Sequence, residues 1–464
     1  MPSESNMSKK SESQISPVMR ELSAYIASAP RKPLPPAVVE KTKHHFLDTI
    51  AAMVSGSRLA PGKKAIGYVR TLGGVKEACV IGSTIVTSAV NAALANGMLA
   101  HADETDDSHA PSLTHPGCGI VPAALAMAER ERRNGTALLH AVALGYDIGC
   151  RLTQSLDAYE FREDGHSTHS FGPMFGAAAA AGALAGLRER PVRHLLSFTA
   201  QQASGISCWM RDREHIEKAF DFGGMPARNG VAAATMVAHG FSGVDDVFAG
   251  ERNFFIAYGR EPDPAILIRR LGIDYEIMNT SIKRWSVGSP IQAPLDSLIA
   301  LIYEHHIKAD DVERIVVRVA RQGANTVDNR AMPDICMQHM CAVMLIDGKV
   351  TFASSHDEKR MRERKVLALR SRIDLSGDDA LSAAMPNRQG IVEIALTDGR
   401  KLCHHTKAVR GSAENPMTRT EIDEKCYDLI APVLGSTRAR KLCDAVWTLE
   451  KVRDARSLRP LLRA

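Results

Sequence analysis

Nine cysteines, at 79, 118, 150, 208, 336, 341, 403, 426 and 443, never form a CxxC pair. That excludes the zinc-ribbon and dithiol redox signatures, and an odd, scattered set reads as small core residues in a reducing cytoplasm. Aromatic residues are scarce, at 5% of 464 residues, and hardly any interleave with the two strongest basic clusters, "HDEKRMRERKVLALRSR" and "TRARKLCDAVWTLEKVRDARSLRPLLRA". With a net charge of only +5 spread along the chain, these clusters read as solvated helix faces and argue against a nucleic-acid partner. Residues 1–16 lack the apolar run of an export signal and are expected to form a disordered tail. Two uncharged runs, "VIGSTIVTSAVNAALANGMLAH" and "GHSTHSFGPMFGAAAAAGALAGL", approach membrane-spanning length, yet both carry glycine and several polar residues. Buried helices are expected there, not membrane spans.

What the chain does have is alanine. Segments such as "TSAVNAALANGMLAHA", "FGAAAAAGALAGL" and "NGVAAATMVAHGFSG" permit close helix packing and are punctuated by glycine. Residues 17–277 are therefore expected to form a helical domain. The pattern changes near residue 278: "VERIVVRVA" and "QGIVEIALTDGRKL" alternate as strands do, with a turn at "TDG", among helical stretches such as "APLDSLIALIYEHH" and "MQHMCAVMLIDG". An α+β domain is expected over 278–412, followed over 413–464 by helices able to pack back on the first domain.

Chemistry concentrates in "HADETDDSHAPSLTHPGCGIVPAALAMAE", residues 101–129. Asp103, Asp106 and Asp107 stand at i, i+3 and i+4, so a helix beginning near Thr87 and running this far would put them on one face near its C-terminus, where its dipole disfavours them. His115 precedes Pro116, which suits the first turn of a helix, so its imidazole is expected beside backbone N–H groups that favour an anion. His166 and His169 lie in "GHSTHSFGPMFG", Lys218 shortly before a glycine-rich helix start, and Lys283 at the expected domain junction. Each alone reads as an ordinary loop or surface residue. Together they supply what proton abstraction beside a carboxylate requires: cations to hold carboxylates, a base for the acidified C–H proton, and an acid for a leaving hydroxyl.

The succession of "LANGMLAHADETDDSHAPSLTHPGCGIVPAALAMAE", "FGAAAAAGALAGL", "EKAFDFGGMPARNGVAAA", "SIKRWSVGSPIQAPLDSL", "VDNRAMPDICMQHMCAVML" and "VRGSAENPMT" resembles the MmgE/PrpD family. That family includes 2-methylcitrate dehydratase, cis-aconitate decarboxylase and iminodisuccinate epimerase. The resemblance implies a helical domain completed by the C-terminal helices, an α+β lid inserted between, a homodimer, and no metal, iron–sulfur cluster or other cofactor. It implies His115 as the principal proton-transfer residue, Glu104 and Asp107 as acidic partners, and Ser108 beside them. Glu104 stands where an aspartate is more usual and Ser108 where a threonine is. The second histidine falls on His166 or His169, with His166 slightly favoured. Lys218 and Lys283 would hold substrate carboxylates, joined by Arg330 of the Asn329–Arg330 pair. Gln292 would stand partly in place of a histidine found in some members, and the decarboxylase-like tyrosine has no counterpart near "TVDNRAMP".

The expected activity is therefore cofactor-independent dehydration of a small hydroxy-polycarboxylate, 2-methylcitrate-like, by a cytoplasmic lyase. An epimerase sharing the first proton abstraction is the alternative. A metal-dependent hydrolase using His101, Asp103, Asp106, Asp107 and His109, or a non-catalytic carboxylate-binding protein, would be the reading from another class.

Overall fold

The computed structural model describes residues 15–464. The expected tail thus lies outside the described residues except for its last two, which belong to the fold. Ile15 is buried, and the Ser16 side chain accepts from the Met19 N–H at the start of α1 (Pro17–Ser28), a stabilising N-cap. The chain divides into two compact units, one running to Thr280 and completed by Leu429–Ala464, the other Ser281–Asp428. The second division falls inside a continuous helix, so residues 413–428 go with the α+β unit and not with the C-terminal helices.

The first unit contains α2 (Pro36–Gly56), α3 (Ala60–Leu72), α4 (Ala89–Ala100), α5 (Pro116–Arg130), α6 (Gly135–Ser155), α7 (Thr168–Ala185), α8 (Glu189–Gln202) and α9 (Met225–Ala238), with a two-residue antiparallel pair, β1 (Ala78–Cys79) and β2 (Val86–Thr87). Every residue of α7 from Ser170 to Leu184 is buried, as expected of a helix apolar on all sides. It meets α6 backbone to backbone. A Cβ on Gly172 would stand 2.7 Å from the Gly149 carbonyl oxygen, and one on Gly176 2.4 Å from that of Gly145. The four-residue spacing on both helices puts these gaps on one face of each, which fixes the start of α7, where His169 lies.

α4 stops at Ala100 and does not carry the acidic residues on one face. Asp103 accepts from the Thr105 N–H at 3.0 Å and from its hydroxyl at 2.7 Å, a local turn that competes with the helix. The loop from His101 to Thr114 therefore points successive carboxylates in different directions.

The second unit contains α10 (Ser289–His305), α11 (Met337–Asp347) and a four-stranded sheet of β3 (Val312–Ala320), β4 (Ile373–Asp378), β5 (Gly390–Leu396) and β6 (Lys401–Thr406), in the order β4-β3-β5-β6. β3 runs parallel to β4 and antiparallel to β5, which pairs antiparallel with β6 across the "TDG" turn. Val312, Ile315, Val317 and Val319 of β3 share a core with Leu295 and Leu298 of α10 and Met340 and Met344 of α11. Helix α12 (Arg419–Leu434) opens with a reciprocal cap: the Thr418 hydroxyl accepts from the Glu421 N–H, and Glu421 accepts from the Thr418 N–H. After it, α13 (Ser436–Trp447) and the chain end return to the first unit, where the Lys43 ammonium reaches the Trp447 carbonyl at 3.1 Å and Glu450 at 2.6 Å. Among the described residues no helix is long and apolar enough to cross a membrane.

Candidate active site

Asp106 is the node of the site. Wholly buried, it accepts from His101 Nδ1 through Oδ2 at 2.9 Å and from His115 Nδ1 through Oδ1 at 3.1 Å. Burial pushes the Asp106 carboxyl up, but the two histidines outweigh it and hold the group well below the usual carboxylate range. An ionised carboxylate only accepts, so both rings present Nδ1–H to it and keep Nε2 as the basic nitrogen. His115 is the residue that precedes the first turn of α5.

A second element presses an aromatic ring into this group. Between the short helix Ile216–Ala219 and α9 the backbone opens into a π-helical turn, Phe220–Gly224, a distortion frequent at functional sites. The turn lies directly against α4: a Cβ on Gly97 would stand 2.3 Å from the Gly223 carbonyl oxygen, and one on Gly223 2.1 Å from that of Gly97. Phe222 is thereby stacked between His101, at 4.3 Å between ring centres, and His169, at 3.7 Å. Trp209 meets it edge-on at 4.7 Å. His115 lies 5.1 Å from His101 and 5.2 Å from His169, and His215 lies 5.1 Å from His101.

The charge in this group is supplied by Lys218, which ion-pairs with Glu104 and stands 5.2 Å from the centre of the Phe222 ring. Burial, then the neighbouring His115, His101 and Lys218, push His169 well below the ordinary histidine range. Burial, reinforced by Lys218, pushes His215 down to about 3. Both rings are therefore neutral near pH 7. His101 Nε2, His169 Nδ1, His215 Nε2 and Trp209 Nε1 are buried without a hydrogen-bond partner. Buried polar atoms are rarely left so, and four in one group, three of them on rings against Phe222 and the fourth on His215 beside His101, mark a place built to receive a polar ligand. Asp221, beside Phe222, accepts from the hydroxyl of Ser167, two residues before His169, and burial pushes its carboxyl up to about 7.

Of the residues singled out in the sequence, His115, His169, Lys218 and Glu104 converge here. His166, slightly favoured from the sequence, lies outside this group: it stacks on Phe161 at 4.5 Å, with Phe171 and Tyr258 around it, because it precedes α7 and turns toward a different aromatic group. Asp107 is also displaced from the expected role. Its Oδ2 meets His45 Nδ1 and the Tyr146 hydroxyl, each at 2.6 Å, and its Oδ1 accepts from the Gly117 N–H at 3.0 Å. With no exposed surface, it ties helices together. Ser108 is half-buried on the same loop.

Lys283, Gln292 and Arg330 belong to the second unit. Lys283 is buried and Arg330 exposed. Gln292 is a structural clamp: its amide accepts from the Trp285 N–H at 3.1 Å and donates to the carbonyls of Trp285 at 2.8 Å and Val287 at 2.9 Å. Those bonds consume the group expected to face a substrate. Asp106, His215, Trp209 and Phe222 were not assigned to a proton-transfer site from sequence. The doubled glycine of "FDFGG" was the available signal for the π-helical turn.

Two residue sets bring one potential metal-ligating atom each within 4.8 Å: His101 with Asp106 and His115, and His101 with Glu104 and His215. In the first, the hydrogen bonds to Asp106 account for the closeness. The five-residue hydrolase centre does not assemble, since Asp103 holds Thr105, Asp107 faces His45, and His109 bonds Ser112 at 2.7 Å and Glu276 at 3.1 Å.

The sequence model of the MmgE/PrpD N-terminal domain matches residues 20–267, and that of the MmgE/PrpD C-terminal domain residues 285–451. The chain is 23% identical to the cis-aconitate decarboxylase-like protein oryM of Aspergillus oryzae over 477 residues, covering 96% of this chain and 97% of that one. It is 22% identical to a cis-aconitate decarboxylase of Aspergillus terreus over 487 residues, covering 96% of each.

Proposed function

This chain belongs to the MmgE/PrpD family, and from that premise we propose that it is a lyase that dehydrates a small hydroxy-polycarboxylate through a carbanion next to a carboxylate. The observation that carries the reading is a pair of histidines, 5.2 Å apart, in opposite environments. His115 faces an ionised carboxylate that balances a proton on its ring. His169 faces no such partner, and burial and nearby cations keep it neutral. Paired groups driven apart in this way divide into acid and base. His169 accepts the proton from the carbon α to the carboxylate. The electron pair left on that carbon forms the double bond as the β-hydroxyl departs, and His115 gives that hydroxyl its proton, so water leaves. Lys218 holds the substrate carboxylate in the ground state and the transition state alike.

Decarboxylation is the second reading, favoured by the names of the two Aspergillus relatives. It needs only one proton donor, because the carbanion left by carbon dioxide takes up a single proton. Two rings of opposite character support dehydration instead. Proton NMR in D2O with EDTA tests this on 2-methylcitrate, citrate, cis-aconitate and smaller hydroxydicarboxylates. A growing vinylic signal from a hydroxy acid is expected. Loss of carbon dioxide from cis-aconitate alone would replace the reading with the second, and α-proton exchange without elimination would sink both in favour of epimerisation.

A further inference from the structure

We infer that His101, Glu104 and His215 form a binding site for a zinc-class divalent cation, and that filling it takes Glu104 away from Lys218. One nitrogen of each ring and one oxygen of Glu104 lie within 4.8 Å of one another. Tetrahedral bonds of about 2.0–2.1 Å place ligand atoms roughly 3.4 Å apart, which small side-chain rotations reach from here. Two imidazoles with one carboxylate select zinc, cobalt or copper over magnesium or calcium, which prefer oxygen alone. Such a set leaves a fourth position for water or an anion.

Two observations point to a ligand at this place. His101 Nε2 and His215 Nε2 are buried without a partner, in residues 0% and 8% exposed. His101 gives its Nδ1–H to Asp106 at 2.9 Å, the carboxylate–histidine arrangement that orients a metal-binding imidazole and leaves the other nitrogen as the lone-pair donor. His215 stands at φ 60°, in the left-handed region that histidine enters more readily than most residues, with its ring 5.1 Å from that of His101. Metal binding would take both rings as neutral imidazoles, so it should weaken as the pH is lowered.

Lys218 and the cation compete for the Glu104 carboxylate. A bound dication would repel the ammonium and free it from its partner, and it would fix His101, which shares Asp106 with His115. Loss of turnover on metal binding follows only if the function proposed above holds. The binding itself does not depend on that reading.

Cobalt(II) serves as the probe, titrated into the untagged full-length chain with visible spectroscopy, followed by displacement with zinc. One equivalent is expected, with the absorption of low-coordinate cobalt. His215→Ala should lose it by more than the roughly 10- to 100-fold that removing an outer partner costs, and Asp106→Asn should show that smaller loss. His115→Ala should keep the site, separating it from the His101–Asp106–His115 set. Should His215→Ala fail to fold by circular dichroism, Glu104→Gln decides in its place. Absence of bound cobalt in the wild-type chain, or undiminished binding in the folded variant, overturns the site. Zinc bound without loss of an established turnover overturns the displacement of Lys218.

Discussion

On one side of the peptide joining Asp106 to Asp107 the carboxylate meets two histidines that border unpartnered ring nitrogens. On the other it meets His45, Tyr146 and the Gly117 N–H, which use both of its oxygens. The two residues are equally buried. The difference lies in what surrounds their partners: the Asp107 group is closed among α2, α5 and α6, whereas the Asp106 group faces Phe222, His169, His215 and Lys218. His45 Nε2 beside Asp107 is also buried without a partner, so one unsatisfied nitrogen does not separate the two groups; on the Asp106 side such nitrogens gather from His101, His169, His215 and Trp209, and a group of that kind is set up to handle a ligand.

The contrast breaks most sharply at His115. His115→Ala should cut turnover by about 10²- to 10⁴-fold, the usual worth of a positioned acid or base, with a circular dichroism spectrum and melting temperature close to wild type. A large fall in melting temperature would put His115 with the structural group instead.

Titration sharpens the comparison on the Asp106 side. Asp221 is held at about 7 in the folded chain against 3.8 for the free side chain. It therefore keeps a proton on folding between those values, so stability falls as pH rises from about 4 to about 7 and then levels off. Asp221→Asn should remove that fall, lowering stability, read as melting temperature, at pH 5 relative to pH 8 by the equivalent of at most about 3 kcal/mol. His45 and His215 act in the opposite sense. They are held at about 4 and about 3 against 6.5, so the unfolded chain takes up their protons first and stability drops as pH falls below 6.5. A variant whose two melting temperatures differ as much as those of wild type would remove Asp221 from this account.

Asp107→Ala should destabilise by about 3 kcal/mol, from the hydrogen bonds left unmade at His45, Tyr146 and the Gly117 N–H, measured by urea unfolding. The activity of the fraction that remains folded should be largely retained. The smallest effect is expected at Lys218→Ala, a rise in KM of about tenfold with kcat much less changed, as for a uniform carboxylate contact. A collapse of kcat with KM constant would instead place Lys218 in the transition state alone.

The helical unit was legible because its signals are local: alanine runs, capping glycines and a Pro at the first turn after His115. The α+β unit was legible from the alternation of "VERIVVRVA" and "QGIVEIAL". Its far boundary was not, because α12 runs unbroken through the division and nothing in the sequence changes there. The choice between His166 and His169 depended on Tyr258 and Phe222, residues far along the chain that draw the two rings apart. The choice between Asp106 and Asp107 turned on an irregular loop without a period to read. The clamp made by Gln292 could not be read, because its partners are backbone groups, which leave no mark in a sequence.

The edge-on contact of Trp209 with Phe222, repeated against His169 at 5.4 Å, gives the chain a built-in optical gauge. Only three tryptophans are present. Trp285 lies in the other unit and Trp447 beside His44, so changes of emission on adding a carboxylate can be traced to Trp209 by comparison with Trp209→Phe. An indole touching an imidazole is quenched more strongly when that ring gains a proton. The same light signal would then count occupancy and follow a proton arriving on His169, without a label and before any product is identified.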